Sequence, residues 1–211
     1  MNVLDAIFTH KIIAIARGIP PEKIVPVAEA LYEGGIRFLE VTFDQKDENT
    51  IKKTCGMIKD LCEKVTGMYI GAGTVMTEDQ ASAAIRAGAK YIISPNVSEK
   101  VIKKTLELGA VSIPGAFTPT EIAAAYEMGA HMIKVFPAGD LGIGYLKSIT
   151  APLCHIPMLA TGGVDDTNLS DFLKLGMVGV GIGSNIVNRR LIDAGEYSKL
   201  TQLAQKYTSQ I

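Results

Sequence analysis

A short apolar run followed by an amphipathic stretch recurs along this chain, and that alternation limits the folds open to it more than any single residue does. The runs are KIIAIA at 11–16, RFLEVT at 37–42, MYIGAG at 68–73, KYIIS at 90–94, VSIP at 111–114, HMIKVF at 131–136, PMLAT at 157–161 and VGVGIG at 178–183. Their length and β-branched content predict strands. Helical patterns such as 22–35 and 120–130 lie between them, and several close on a glycine suited to a left-handed C-cap: GG at 34–35, AGA at 87–89, LGA at 108–110 and MGA at 128–130. Strands joined by helix-length crossovers pair in parallel. A βα unit of about 26 residues repeated eight times predicts an α/β fold, a single (β/α)8 TIM barrel over 1–211, with an open doubly wound sheet as the alternative. No linker, low-complexity segment or second domain interrupts the pattern.

Composition narrows the class of partner. With 47% hydrophobic residues and a formal charge of -1, the chain lacks the basic excess that nucleic acid or an anionic membrane calls for. No apolar stretch reaches the length of a membrane span, and residues 1–11 lack the basic, apolar and cleavage regions of a signal peptide, so the chain reads as cytoplasmic. The three cysteines show no metal-binding spacing: Cys55 and Cys62 are seven apart and Cys154 stands alone. They read as reduced packing residues.

Lys134 sits inside the apolar run HMIKVFP at 131–137. An amine among hydrocarbon loses hydration, its pKa falls, and more of it is the neutral nucleophile at pH 7. That chemistry makes a Schiff-base lysine, and the alternative is a lysine paired structurally with a buried carboxylate. Strand alternation places Met132, Lys134 and Phe136 on one face, and Phe38, Glu40 and Thr42 on one face of the second strand. In a barrel these faces point inward. A carboxylate and an amine, each set among apolar neighbours, are expected to meet. With a carbonyl substrate they form the minimum set for carbinolamine formation, dehydration and proton transfer beside the imine.

Two glycine-rich segments provide anion chemistry. TGGV at 161–164 follows the seventh strand and precedes DDTNLSDFL, which begins a helix. The amides of Gly162 and Gly163 there approach a ligand without side-chain obstruction. GIGSNIV at 181–187 repeats the device after the eighth strand, with Ser184 as a hydroxyl donor and the expected start of a short helix. The loops after the last two strands are where such barrels commonly hold a phosphate.

Taken together, IARG 15–18, LEVTF 39–43, GAGTV 71–75, ISPN 93–96, IPGAFTPTE 113–121, KVFPAG 134–139, TGGV 161–164 and GIGS 181–184 resemble the 2-keto-3-deoxy-6-phosphogluconate (KDPG) and 4-hydroxy-2-oxoglutarate (KHG) aldolases nearly end to end. The resemblance implies a metal-free class I aldolase with no cofactor beyond a covalent imine through Lys134. Its substrate would be a phosphorylated 2-keto-3-deoxy sugar acid cleaved to pyruvate and glyceraldehyde 3-phosphate, with 4-hydroxy-2-oxoglutarate, giving pyruvate and glyoxylate, as a second substrate. Glu40 would move protons, through a water. Gly162, Gly163 and Ser184 would hold the phosphate, with Thr161 and Gly183 in the same substrate-binding loops. Thr74 falls where the family places a hydroxyl near the keto acid, though a turn or N-cap hydroxyl would look the same. Pro95 and Phe136 resemble residues that wall the pyruvate pocket, and both could equally be packing. The family resemblance also implies a homotrimer.

One position departs from the pattern. Many members carry an arginine two residues after the threonine of LEVT, where this chain has Asp44. Arg17, at the end of the first strand, is the substitute we expect for the substrate carboxylate, because a guanidinium fits a carboxylate in a bidentate way. Asp44 leaves the galactonate-derived epimer open as substrate. Three other classes compete with this reading. A metal-dependent aldolase needs converging ligands, but His10 precedes strand one, His131 begins strand six facing outward and His155 lies in a loop. A sugar-phosphate epimerase would share the phosphate loops without needing the lysine nucleophile, and a non-catalytic phosphate-binding barrel would show no turnover. Tyr197, Leu200, Leu203, Ala204 and Tyr207 form the apolar stripe of a C-terminal helix expected to pack on the barrel.

Overall fold

The computed structural model describes residues 2–211. A helix α1 (Val3–His10) comes first, N-capped by the Asn2 side chain, which accepts from the Asp5 amide. Then follow β1 (Ile12–Ala16), α2 (Pro21–Glu33), β2 (Phe38–Thr42), α3 (Thr50–Lys64), β3 (Tyr69–Gly73), α4 (Glu78–Arg86), β4 (Tyr91–Ile93), α5 (Glu99–Glu107), β5 (Val111–Ile113) and β6 (Gly115–Ala116). The second half holds α6 (Pro119–Glu127), β7 (Ile133–Val135), α7 (Ala138–Thr150), β8 (Met158–Thr161), α8 (Leu169–Lys174), β9 (Gly179–Ile182), α9 (Arg189–Asp193) and α10 (Tyr197–Thr208). Each strand lies within its predicted run except β6, which follows the fifth run.

All strand pairs are parallel, in the order β5-β4-β3-β2-β1-β9-β8-β7-β6. The two ends of that order are adjacent in sequence, because β5 and β6 are one strand interrupted at Pro114. Proline has no amide to give the ladder, so the strand breaks there. The seam is bridged by the His131 amide donating to Ser112 O (3.1 Å) and the Lys134 amide donating to Pro114 O (2.9 Å). The fold is therefore the predicted TIM-type barrel, with its fifth strand in two pieces.

Alternation along the strands sorts side chains into two apolar layers. Leu39, Val41, Ile133 and Val135 face out and pack beneath the helices. Ile13, Phe38, Tyr91, Ile113, Met132 and Leu159 fill the inside. Ala6 and Ile7 of α1 join the inner cluster, so this helix plugs the N-terminal end of the barrel. Sequence reading had not assigned α1. The expected glycine closures are present, with Gly35, Gly88, Gly109 and Gly129 at positive φ beyond α2, α4, α5 and α6.

The C-terminal stripe behaves as expected: Leu200, Ala204 and Tyr207 are buried, with Tyr197 and Leu203 packed against the core. Thr201 and Thr208 hydroxyls donate to Ala30 O (3.0 Å) and Gly34 O (2.8 Å), which fastens α10 across α2. Two expectations need correction. Cys62 and Cys154 are exposed rather than packed, although all three thiols are free. Ser184 starts no helix: it lies in a hydrogen-bonded turn closed by the Ile186 and Val187 amides on Gly183 O, and the helix begins only at Arg189. Among the described residues no helix is long and apolar enough to cross a membrane.

Candidate active site

The inward faces of β2 and β7 place Glu40 and Lys134 inside the barrel, 1% and 4% exposed. Their space comes from β3. Gly71 and Gly73 have no side chains, and a Cβ at Gly73 would stand 1.6 Å from Glu40 Oε1, while one at Gly71 would stand 2.2 Å from the Tyr91 ring. The Glu40 carboxyl therefore lies over Gly73 toward the mouth. Among the described residues its Oε1 has no hydrogen-bond partner, and the same holds for Tyr91 OH and Thr161 Oγ1.

Burial pushes the Glu40 pKa up, against the opposing pull of Lys134 and Arg17. Burial likewise pushes the Lys134 pKa down, with Glu40 opposing and Arg17 assisting. Desolvation thus outweighs the mutual attraction, and each group is driven toward its neutral form. The expectation that the two would meet needs refining, because among the described residues they form no ion pair. Lys134 Nζ instead lies 4.8 Å from the centroid of the Phe136 ring. Held together without a salt bridge, an amine and a carboxyl each shifted toward its neutral form can serve as nucleophile and proton donor.

Two cavities open at the C-terminal mouth and share Arg17 and Ile19. One, of about 390 Å³, is lined by Lys134, Phe136, Thr161, Gly162, Gly163, Gly183, Ser184 and Arg189. The other, of about 500 Å³, is lined by Thr42, Asp44, Gln45 and Thr74. Arg17 donates through Nη2 to Thr74 Oγ1 at 3.4 Å. The Asp44 carboxylate accepts from the Lys46 amide at 3.0 Å, within its own loop. Pro95 lines neither cavity, and its carbonyl sits so close to Gly115 that a Cβ there would be 2.5 Å away.

The glycine loops form one floor. Gly162 (φ 88°) and Gly163 (φ 72°) adopt left-handed backbone, and the Gly139 amide donates to Gly162 O at 2.8 Å. Asn185 Nδ2 donates to Val164 O at 2.8 Å, tying the loop after β9 to the loop after β8. Ser184 is exposed on this cavity and uses neither its hydroxyl nor its amide in hydrogen bonds to other described residues. These are donors suited to phosphate oxygens. Among the described residues no group of three or more His, Cys, Asp or Glu could hold a metal ion. His131 accepts from the Ser112 amide through Nδ1, a backbone role.

Sequence reasoning missed Asn185, Arg189, Gln45 and Gln80. Arg189 donates to Gly18 O and, through Nε, to Asp193 at 2.8 Å, so it presents fixed positive charge beside the glycine loops. The basic pair Arg189–Arg190 just after GIGSNIV was the available signal. The two glutamines carried none, because their partnership joins the loop after β2 to the first turn of α4.

A parallel barrel with a desolvated amine, a buried carboxyl and paired anion loops at one mouth defines a barrel lyase of the aldolase class. A sequence model of the family described as "KDPG and KHG aldolase" matches residues 3–203, and the chain belongs to that family. It is 33% identical to the 2-dehydro-3-deoxy-phosphogluconate aldolase of Treponema pallidum (strain Nichols), covering 98% of this chain and 96% of the relative. It is 36% identical to the probable 2-dehydro-3-deoxy-6-phosphogalactonate aldolase of Rhizobium meliloti (strain 1021), covering 83% and 81%. The crystal structure of KDPG aldolase from Legionella pneumophila, with pyruvate captured at low pH as a covalent carbinolamine intermediate, superposes with a TM-score of 0.85 at 31% identity over 96% of each chain.

Proposed function

We propose that this aldolase cleaves a 6-phosphorylated 2-keto-3-deoxy hexonate between C3 and C4 through an imine on Lys134. The observation that carries the reading is the amine itself, buried in the barrel with its pKa lowered and open to a mouth cavity. Neutral Nζ attacks the C2 carbonyl to give a carbinolamine, the species named for the Legionella relative. Glu40, whose pKa burial raises, donates a proton to the departing hydroxyl, and water leaves. Glu40, now ionised, accepts the C4 hydroxyl proton. The C3–C4 bond breaks, its electrons flow to the iminium nitrogen, and glyceraldehyde 3-phosphate departs. Protonation of the enamine at C3 and hydrolysis return pyruvate and the free amine. Arg17 binds the C1 carboxylate, Thr74 lies beside it, Phe136 walls the pyruvate end, and Thr161, Gly162, Gly163, Gly183 and Ser184 receive the phosphate.

Borohydride reduction in the presence of pyruvate, followed by peptide mass mapping, tests the reading. A reduced pyruvate adduct on Lys134 supports it. Pyruvate binding with no adduct would sink the imine mechanism and favour the epimerase.

Gluconate is the preferred epimer in this reading, with 4-hydroxy-2-oxoglutarate as a second substrate. The galactonate epimer stands as the competing choice because Asp44 lines the mouth and relatives carry both names. Comparing kcat/KM for the two phosphorylated epimers decides between them. The chain acts in this reading as one catalytic domain, in a cytoplasmic homotrimer.

A further inference from the structure

We infer that Gln45 is a positioning residue for Arg17, acting through the backbone of Thr74. Thr74 has φ 54°, a left-handed conformation shared by only one other non-glycine among the described residues, Lys11. A β-branched residue keeps such a backbone only where its surroundings over-determine it. Two side-chain amides provide that constraint. Gln45 Nε2 donates to Thr74 O at 2.7 Å. Gln45 Oε1 accepts from Gln80 Nε2 at 3.0 Å. Gln80 Oε1 accepts from the Met76 amide at 2.8 Å, and Gln80, in the first turn of α4, is buried at 5% exposure. The peptide from 74 to 76 is thus gripped at a carbonyl and at an amide by one continuous pair.

The chain of contacts ends on the mouth. Fixing Thr74 fixes its hydroxyl, and that hydroxyl accepts from Arg17 Nη2. Arg17 is exposed and long, and an unheld arginine loses side-chain freedom when it binds a carboxylate. The Thr74 contact removes part of that loss before the ligand arrives. Only an amide does this at position 45: a carboxylate would turn an acceptor toward the Thr74 carbonyl, and a shorter side chain would not span to Gln80. Asp44, the neighbouring residue, is turned into its own loop by the Lys46 amide, so this loop contributes its amide rather than its charge to the arginine.

The inference rests on the reading of Arg17 as the carboxylate anchor, and the test separates the two. The probe is pyruvate, and the readout is the pyruvate concentration that half-saturates borohydride inactivation, with the maximal inactivation rate measured alongside. Gln45→Leu should raise the half-saturating concentration about 5-fold, the scale of one lost hydrogen bond, and leave the maximal rate within about 2-fold. Gln45→Glu should raise it at least as much. Arg17→Ala should raise it further, and adding Gln45→Leu to Arg17→Ala should change nothing more, because the glutamine acts only through the arginine. If Arg17→Ala weakens pyruvate and Gln45→Leu does not, or if the two effects add, the inference is overturned while Arg17 keeps its role. If Arg17→Ala leaves pyruvate affinity unchanged, both fall.

Discussion

At the scale of single residues, the proposed chemistry depends on the protonation of two buried groups, Lys134 and Glu40. Burial lowers the Lys134 pKa from the ordinary 10.5, so the protonated, non-nucleophilic form dominates only below the lowered value. The rate of imine formation with pyruvate should therefore rise with pH and level off before 10.5, and an inflection at 10.5 would count against desolvation as the activating force. Lys134→Arg should abolish borohydride trapping although the charge is kept, since a guanidinium is no nucleophile at this pH. Both groups were legible in the sequence because period-2 alternation alone puts Lys134 with Met132 and Glu40 with Phe38, and those neighbours do fill the barrel interior. Thr74 was legible as a hydroxyl at a strand end, but not as a strained residue. Its carbonyl is held by Gln45, which is itself bonded to Gln80 of α4, and no local pattern encodes a contact between a loop and a distant helix.

At the scale of elements, β3 serves the site without contributing a functional group. Its inward glycines leave the room that Glu40 and Tyr91 occupy. Gly73→Ala should displace the Glu40 carboxyl, because the new Cβ would lie 1.6 Å from Oε1. The expected result is a fall in kcat of at least about 100-fold, the scale of one lost acid–base group, with a folded barrel destabilised by about 1–3 kcal/mol. Circular dichroism with steady-state turnover checks both halves, and near-normal kcat would show that Glu40 has room elsewhere. Strand positions followed from composition and spacing. The break at Pro114 was written in the sequence, yet the prediction kept Pro114 at the end of the fifth strand, because the two residues of β6 are too few to show a period. The turn at Ser184 misled for the opposite reason: a glycine loop and a hydroxyl also begin helices, and here the Gly183 carbonyl closes a turn before Asn188 caps α9.

At the scale of the whole molecule, the proposed trimer needs an apolar face, and Phe117, Tyr126 and Ile143 are among the large hydrophobics left exposed, at 44%, 38% and 40%. Sedimentation equilibrium should give the mass of three chains, and a monomer at micromolar concentration would remove the trimer from the reading. The closing of the molecule by α10 was predictable from its stripe, whereas the plug at the other end was not. Helix α1 has only eight residues, and what it covers depends on the barrel being there first. That plug has a kinetic meaning. With Ala6 and Ile7 in one cluster with Ile13 and Phe38, the described residues close that end of the barrel, and the cavity that Lys134 lines opens at the C-terminal mouth. In the proposed reaction the pyruvate half is tethered at depth and the aldehyde half stands nearer the exit. The covalent imine makes the aldehyde go first in that reaction, and the shape of the vessel makes the water that frees pyruvate enter by the mouth the aldehyde has just left.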